Sequence, residues 1–153
     1  MLSFKKILCP IDFSEASLES LKTACDMAAQ FKAELLLLYV RPMTVLPPEV
    51  LGMPGFNFVQ FERQQSDEAQ RRLEGIARGQ VPGTLASRVL LREGDAGHEI
   101  LQTAADEKVD IIVIATHGMT GWRHYLYGSV TQRVLQNTPC SVLVVRSASP
   151  RSK

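Results

Sequence analysis

The sequence is sparing in cysteine and tryptophan and shows almost no charge bias. Its three cysteines, Cys9, Cys25 and Cys140, are odd in number and far apart. With no Cys-x-x-Cys and no metal-ligand spacing, they argue against a disulfide framework or a thiolate metal site. Each lies among apolar neighbours and reads as a buried, reduced thiol. The net charge of +1, from 17 basic and 16 acidic residues, offers no broad attraction for nucleic acid or an anionic membrane. No run approaches the roughly 18 apolar residues of a membrane span. The apolar stretch after Met1 to Lys6 is broken by Pro10 and Asp12, too early for a secretory signal. There is no Gly-x-x-x-x-Gly-Lys-Ser/Thr, which argues against a Walker-type enzyme, and no Ser/Thr-rich loop after the first apolar run, which argues against a flavodoxin-like redox protein. The expectation is a cytoplasmic protein with one domain over residues 1–146 and a short polar tail over 147–153.

Five short apolar runs are present: Lys6 to Ile11, Glu34 to Val40, Ser87 to Leu91, Asp110 to Ala115 and Ser141 to Val145. They are continuous rather than alternating, as strands buried on both faces are. Between them lie stretches of helical period. Ser14 is a candidate cap for a helix burying Leu18, Leu21, Cys25 and Ala28. Phe58 to Arg78 turns Phe61, Ala69, Leu73 and Ile76 inward and Glu62, Arg63, Asp67, Arg71 and Arg72 to solvent. Gly97 to Lys108 uses Ile100, Leu101, Ala104 and Ala105, and a last helix from Gly128 carries Val130, Val134 and Leu135 until Pro139. This alternation predicts an α/β fold, a doubly wound five-stranded parallel sheet with helices on both faces. Ligands of such sheets bind beyond the carboxyl ends of the strands, where the strand order reverses. Arg41 to Asn57, rich in proline and glycine, reads as a long irregular loop. Its Met43, Met53, Phe56 and Phe58 suit a lid, an interface or packing onto the body equally.

Two strand ends carry chemistry. Pro10-Ile11-Asp12 closes the first run, and the Asp12 carboxylate there either accepts from a ligand's amine or hydroxyl or turns the chain into the next helix. Ala115-Thr116-His117-Gly118 closes the fourth, followed by Trp122 to Tyr127 and a helix opening at Gly128-Ser129-Val130. Glycines 118 and 128 permit close approach to the main chain and unusual backbone angles. A helix start presents unpaired N–H groups and the positive end of its dipole, and Ser129 adds a hydroxyl. Phosphate binding and a plain connecting loop with a serine cap are both open. His117 has no carboxylate or nucleophile visibly paired with it, so it reads as a loop or ligand contact rather than a catalyst.

Order and spacing of these segments make the chain resemble the universal stress protein family. The residues that carry the resemblance are Ile7 to Ser14, Leu37 to Val40, Gly94-Asp95 with Ile100, Asp110 to Ile114, Gly118 to Ser129 and Thr138 to Val145. The resemblance implies a Rossmann-like fold of the adenine nucleotide alpha hydrolase kind and a dimeric stress-response protein holding ATP or another adenine nucleotide. ATP-binding members carry Gly, two residues, Gly, nine residues, then Gly-Ser or Gly-Thr. Here Gly118, nine residues and Gly128-Ser129 fit, but Ala115 stands for the first glycine. By resemblance, Asp12 meets the adenosine end, the Val40 backbone holds adenine, and Gly118, Gly128, Ser129 and Val130 surround ribose and phosphates, with the Ala115 methyl at the ribose or phosphate approach. Pro10, Thr116 and His117 complete the expected nucleotide-binding set. Magnesium would arrive with the phosphates rather than in a protein cage, and any ATP hydrolysis would be slow. Ser141 to Val145 reads as a last strand with an apolar edge, and the resembled family often pairs this strand across a two-fold axis, so a homodimer is expected. An unidentified protein partner is expected besides, and, from the charge and hydropathy above, no nucleic acid or membrane. The rival is a nucleotide-independent dimeric interaction module with a structural glycine loop.

Overall fold

The computed structural model describes residues 3–116 and 128–146. Five strands, β1 (Lys6–Pro10), β2 (Glu34–Arg41), β3 (Ser87–Glu93), β4 (Ile111–Thr116) and β5 (Ser141–Arg146), form one parallel sheet in the order β3-β2-β1-β4-β5. The helices are α1 (Glu15–Phe31), α2 (Pro48–Leu51), α3 (Phe58–Gln80), α4 (Ala96–Asp106) and α5 (Ser129–Asn137). The expected doubly wound sheet is therefore present, its strand bounds within two residues of the apolar runs.

The four consecutive leucines Leu35 to Leu38 are wholly buried because β2 is covered on both faces. Leu35 and Leu37 pack with Leu21, Ala24, Ala28 and Leu73 of α1 and α3. Leu36 and Leu38 pack with Ile100, Ala104 and Val134 of α4 and α5. Burying each such side chain is worth about 1.5–3 kcal/mol, so this strand anchors both layers.

Several expectations need correction. Arg41 to Asn57 is not wholly irregular: Arg41 ends β2, and α2 forms where Pro48 takes the first helical position, a place that needs no N–H. On α1 the buried face takes in Ser17, Ser20 and Ala24 beside the expected Leu21, Cys25 and Ala28, whereas Leu18 is only half-buried. Ala105 and Leu135 are exposed and Cys140 is half-buried. Glu62 and Arg72 are not simply solvated, since they bind Arg41 and Phe13 respectively.

Candidate functional site

The sheet opens where its order reverses. β1 pairs with β4 only at Ile7–Ile111 and Leu8–Ile112, whereas its pairing with β2 continues to Pro10–Leu38. The Ile11 amide donates across to Leu38 O at 2.7 Å. By strand alternation the Pro10 nitrogen faces β4, and it has no hydrogen to offer. A crevice between the ends of β1 and β4 follows from that.

Beyond Pro10 the chain turns sharply. Phe13 has φ +66°, the left-handed region that bulky side chains avoid. Lys32 and Lys108 also have positive φ, but both close helix ends, where that conformation is common. Phe13 lies between a strand and a helix start, and holding an aromatic residue there costs about 1–3 kcal/mol. The turn brings the Asp12 carboxylate to Ser14, whose N–H donates to Oδ1 at 2.9 Å and whose hydroxyl donates to the same oxygen. Ser14 Oγ in turn caps α1, accepting from the Ser17 N–H at 3.2 Å. Asp12 thus does serve as the turn into the next helix, while also facing the crevice.

The crevice is a small cleft of about 110 Å³, open at its mouth and lined by Pro10, Asp12, Val40, Ala115 and Val130 among others. Its far wall comes from α4 and α5. A β-carbon on Gly97 would lie 2.7 Å from the Arg133 side chain, so glycine there lets the two helices close on each other. Thr131, buried in the first turn of α5, donates its hydroxyl to Ala115 O at 3.1 Å and pins that helix start to the end of β4. The N-terminal turns of α1, α3 and α4 are capped by the side chains of Ser14, Asn57 and Asp95. α5 begins at Gly128 without a side-chain cap. Gly128 has φ −66° and ψ 160°, angles any residue adopts, so the expectation of unusual backbone angles fails there.

Of the residues singled out from sequence, Pro10, Asp12, Val40, Ala115 and Val130 share this cleft. Gly128 and Ser129 begin α5 next to it without lining it, and Thr116 is buried at the end of β4. His117 and Gly118, like Trp122 to Tyr127, lie outside the described residues. Sequence reasoning missed Ser14, Ser17, Ala96, Ile100 and Thr131 as lining residues. The available signal was small or hydroxyl residues in the first turns of helices that follow strand ends.

Asp12 is the only carboxylate among the described lining residues. Among the described residues no three His, Cys, Asp or Glu side chains converge, so a cation here would take its ligands from a bound group and water. Cys9, wholly buried beneath the cleft floor with Sγ 3.8 Å from Ser20 Oγ, has its pKa pushed up to about 12 by burial, which keeps it protonated and unreactive. Beside the cleft, at the end of β2, buried Arg41 binds Glu62 of α3, Glu93 of β3 and, at 3.0 Å, Thr44 Oγ1. The arrangement suits holding a ligand with one apolar and one anionic part. Among the described residues, no helix is long and apolar enough to cross a membrane.

A doubly wound parallel sheet with a cleft at its switch point defines the class. A model of the universal stress protein family matches residues 3–146, and the chain belongs to that family. It is 34% identical to universal stress protein MJ0531 of Methanocaldococcus jannaschii over 94% of this chain and 82% of that protein. It is also similar to the solved structure of MJ0577, from the same organism, with a TM-score of 0.77, 30% identity and coverage of 97% and 99% of the two chains. UspA of Lactobacillus plantarum, at 24% identity and a TM-score of 0.69 over 95% and 100% of the chains, shares the fold.

Proposed function

We propose that the protein is a cytoplasmic, dimeric universal stress protein that binds ATP or another adenine nucleotide in the cleft at the ends of β1, β2 and β4. The observation that carries this reading is the cleft itself: an opening at the β1–β4 switch point, with the uncapped start of α5 beside its far wall. Apolar Val40 and Ile100 suit a base, Asp12 offers an acceptor for a ribose hydroxyl or an exocyclic amine, and the start of a helix suits phosphate. One family structure of the same fold was solved in complex with cAMP. Magnesium would enter on the phosphates. β5 is an edge strand with Val142 to Val145 half-buried, and pairing with a second copy would cover it.

The test is an equilibrium titration with ATP of the wild type and Gly128→Val. The backbone angles at Gly128 admit valine, so the variant folds with an unchanged circular dichroism spectrum, and its side chain obstructs the helix start. Loss of at least roughly tenfold in affinity is expected, about 1.4 kcal/mol. Wild-type protein that binds no ATP at millimolar concentration overturns the reading in favour of a nucleotide-independent interaction module. Light scattering that finds a monomer at micromolar concentration overturns the dimer.

A further inference from the structure

The left-handed turn at Phe13 has no helix end to account for it, and its side chain shows what holds it. The Phe13 ring lies 4.5 Å from the Tyr39 ring of β2, tilted by 52°. The Arg72 guanidinium of α3 also stands over it, 4.0 Å from its centroid. Contacts of a ring with a second ring and with a cation are each favourable. The backbone consequence is local: with Phe13 at φ +66°, the Ser14 N–H reaches Asp12 Oδ1 and the Ser14 hydroxyl caps α1. Asp12, Ser14 and Tyr39 line the cleft, whereas Phe13 and Arg72 do not.

We propose that Phe13 is a positioning residue for the cleft: its ring, held by contacts with both Tyr39 and Arg72, fixes the turn that sets the Asp12 carboxylate for ligand. This rests on the nucleotide-binding reading and adds to it a residue that acts through Asp12 without touching ligand. It also makes α3 a contributor to affinity through Arg72, although that side chain stands outside the cleft. Glycine at position 13 accepts φ +66° without strain but removes these contacts and leaves the turn free to wander.

The experiment is ATP titration of six folded proteins: wild type, Phe13→Gly, Phe13→Tyr, Arg72→Gln, Asp12→Ala and Asp12→Ala with Phe13→Gly. Phe13→Gly is expected to weaken binding roughly fivefold, and Arg72→Gln, the milder change, about twofold. Phe13→Tyr keeps the ring and is expected to keep wild-type affinity. In the Asp12→Ala background, Phe13→Gly is expected to change affinity by less than about twofold, since a residue acting through Asp12 has nothing left to position. The same fivefold loss in that background overturns the proposal, because it reports general loosening. Wild-type binding with unchanged Phe13→Gly and Arg72→Gln affinities overturns it while leaving the nucleotide reading intact. Wild-type protein that binds no ATP at millimolar concentration overturns both.

Discussion

The two ends of the sheet are built on opposite plans. At the amino ends of the strands, charge closes the surface. Arg88 of β3 binds Glu34 of β2 at 2.7 Å and Glu107 beyond α4 at 2.6 Å. Lys6 Nζ donates to the Glu107 carbonyl at 3.0 Å, and Asp110 Oδ2 accepts the Lys5 and Lys6 amides at 2.7 and 2.9 Å. At the carboxyl ends, β1 and β4 part after one pair of contacts beyond Ile7, Pro10 withholds an amide, and α5 starts without a side-chain cap. The β2–β3 corner is tied by Arg41, and the Thr131 hydroxyl ties the start of α5 to the end of β4. The polar groups named at the amino end pair within the chain, whereas the carboxyl end holds the cleft. Stability and binding should therefore be separable by mutation.

The largest effect expected from that separation is at the amino end. Asp110→Ala removes the acceptor of two backbone amides and should destabilise the protein by about 1–3 kcal/mol in denaturant unfolding. ATP affinity of the folded fraction should stay within about twofold, since Asp110 and the cleft lie at opposite ends. A large loss of affinity would mean the two ends are coupled through the sheet, and the contrast would fail.

Legibility in the sequence divides along the same line. Strands buried on both faces leave continuous apolar runs, so Leu35 to Leu38 and Ile111 to Ile114 disclose the sheet and, with the helices between them, its winding. Asp12 and Ala115 stand out because cleft residues of such sheets sit at strand ends, whereas Val40 is singled out by the family resemblance alone. What stayed hidden depends on partners distant in sequence. Glu62 reads as a solvated helix charge until Arg41, across the turn from β2, is seen to claim it. Arg72 reads the same way until Phe13 lies beneath it. Nothing in a phenylalanine announces a positive φ, whereas Gly128 announces one it does not adopt. Local chemistry was readable; the contacts that set side-chain position were not.

A smaller effect tests the open end. Ala115 lines the cleft, and by family resemblance it occupies a glycine position. Ala115→Gly should tighten ATP binding by about 1 kcal/mol, roughly fivefold, if the methyl group crowds ribose or phosphate. The ligand-free protein should lose about 0.5–1 kcal/mol of stability, since glycine in a strand gains freedom on unfolding. Opposite signs identify a steric contact with ligand. If affinity and stability fall together, Ala115 is part of the scaffold, and the open end is less purely a binding surface than its geometry suggests.

The smallest effect separates the two charge clusters by acid and salt. The hydrogen bond from Arg41 holds the Glu62 carboxyl below its ordinary value of 4.5. Arg88, chiefly by hydrogen bonding, does the same to Glu107. For a carboxyl whose folded pKa is depressed, the unfolded chain takes up the proton first. Its stabilising contribution is present above about pH 4.5 and is lost as pH falls through the folded value. Both clusters should therefore weaken the protein on the acid side of that point, and Glu62→Gln and Glu107→Gln should each flatten part of the fall. Salt should tell them apart. The Arg41 side chain is 8% exposed and that of Arg88 is 44% exposed. At about 0.5 M salt the Debye length is well below the roughly 10 Å of 0.1 M, and exposed pairs are the ones screened. The acid dependence removed by Glu107→Gln should shrink in salt, while that removed by Glu62→Gln should persist. Equal salt sensitivity would place Arg41 in the same exposed regime as Arg88, and the tie at the β2–β3 corner would then be no firmer than the charge network at the opposite end.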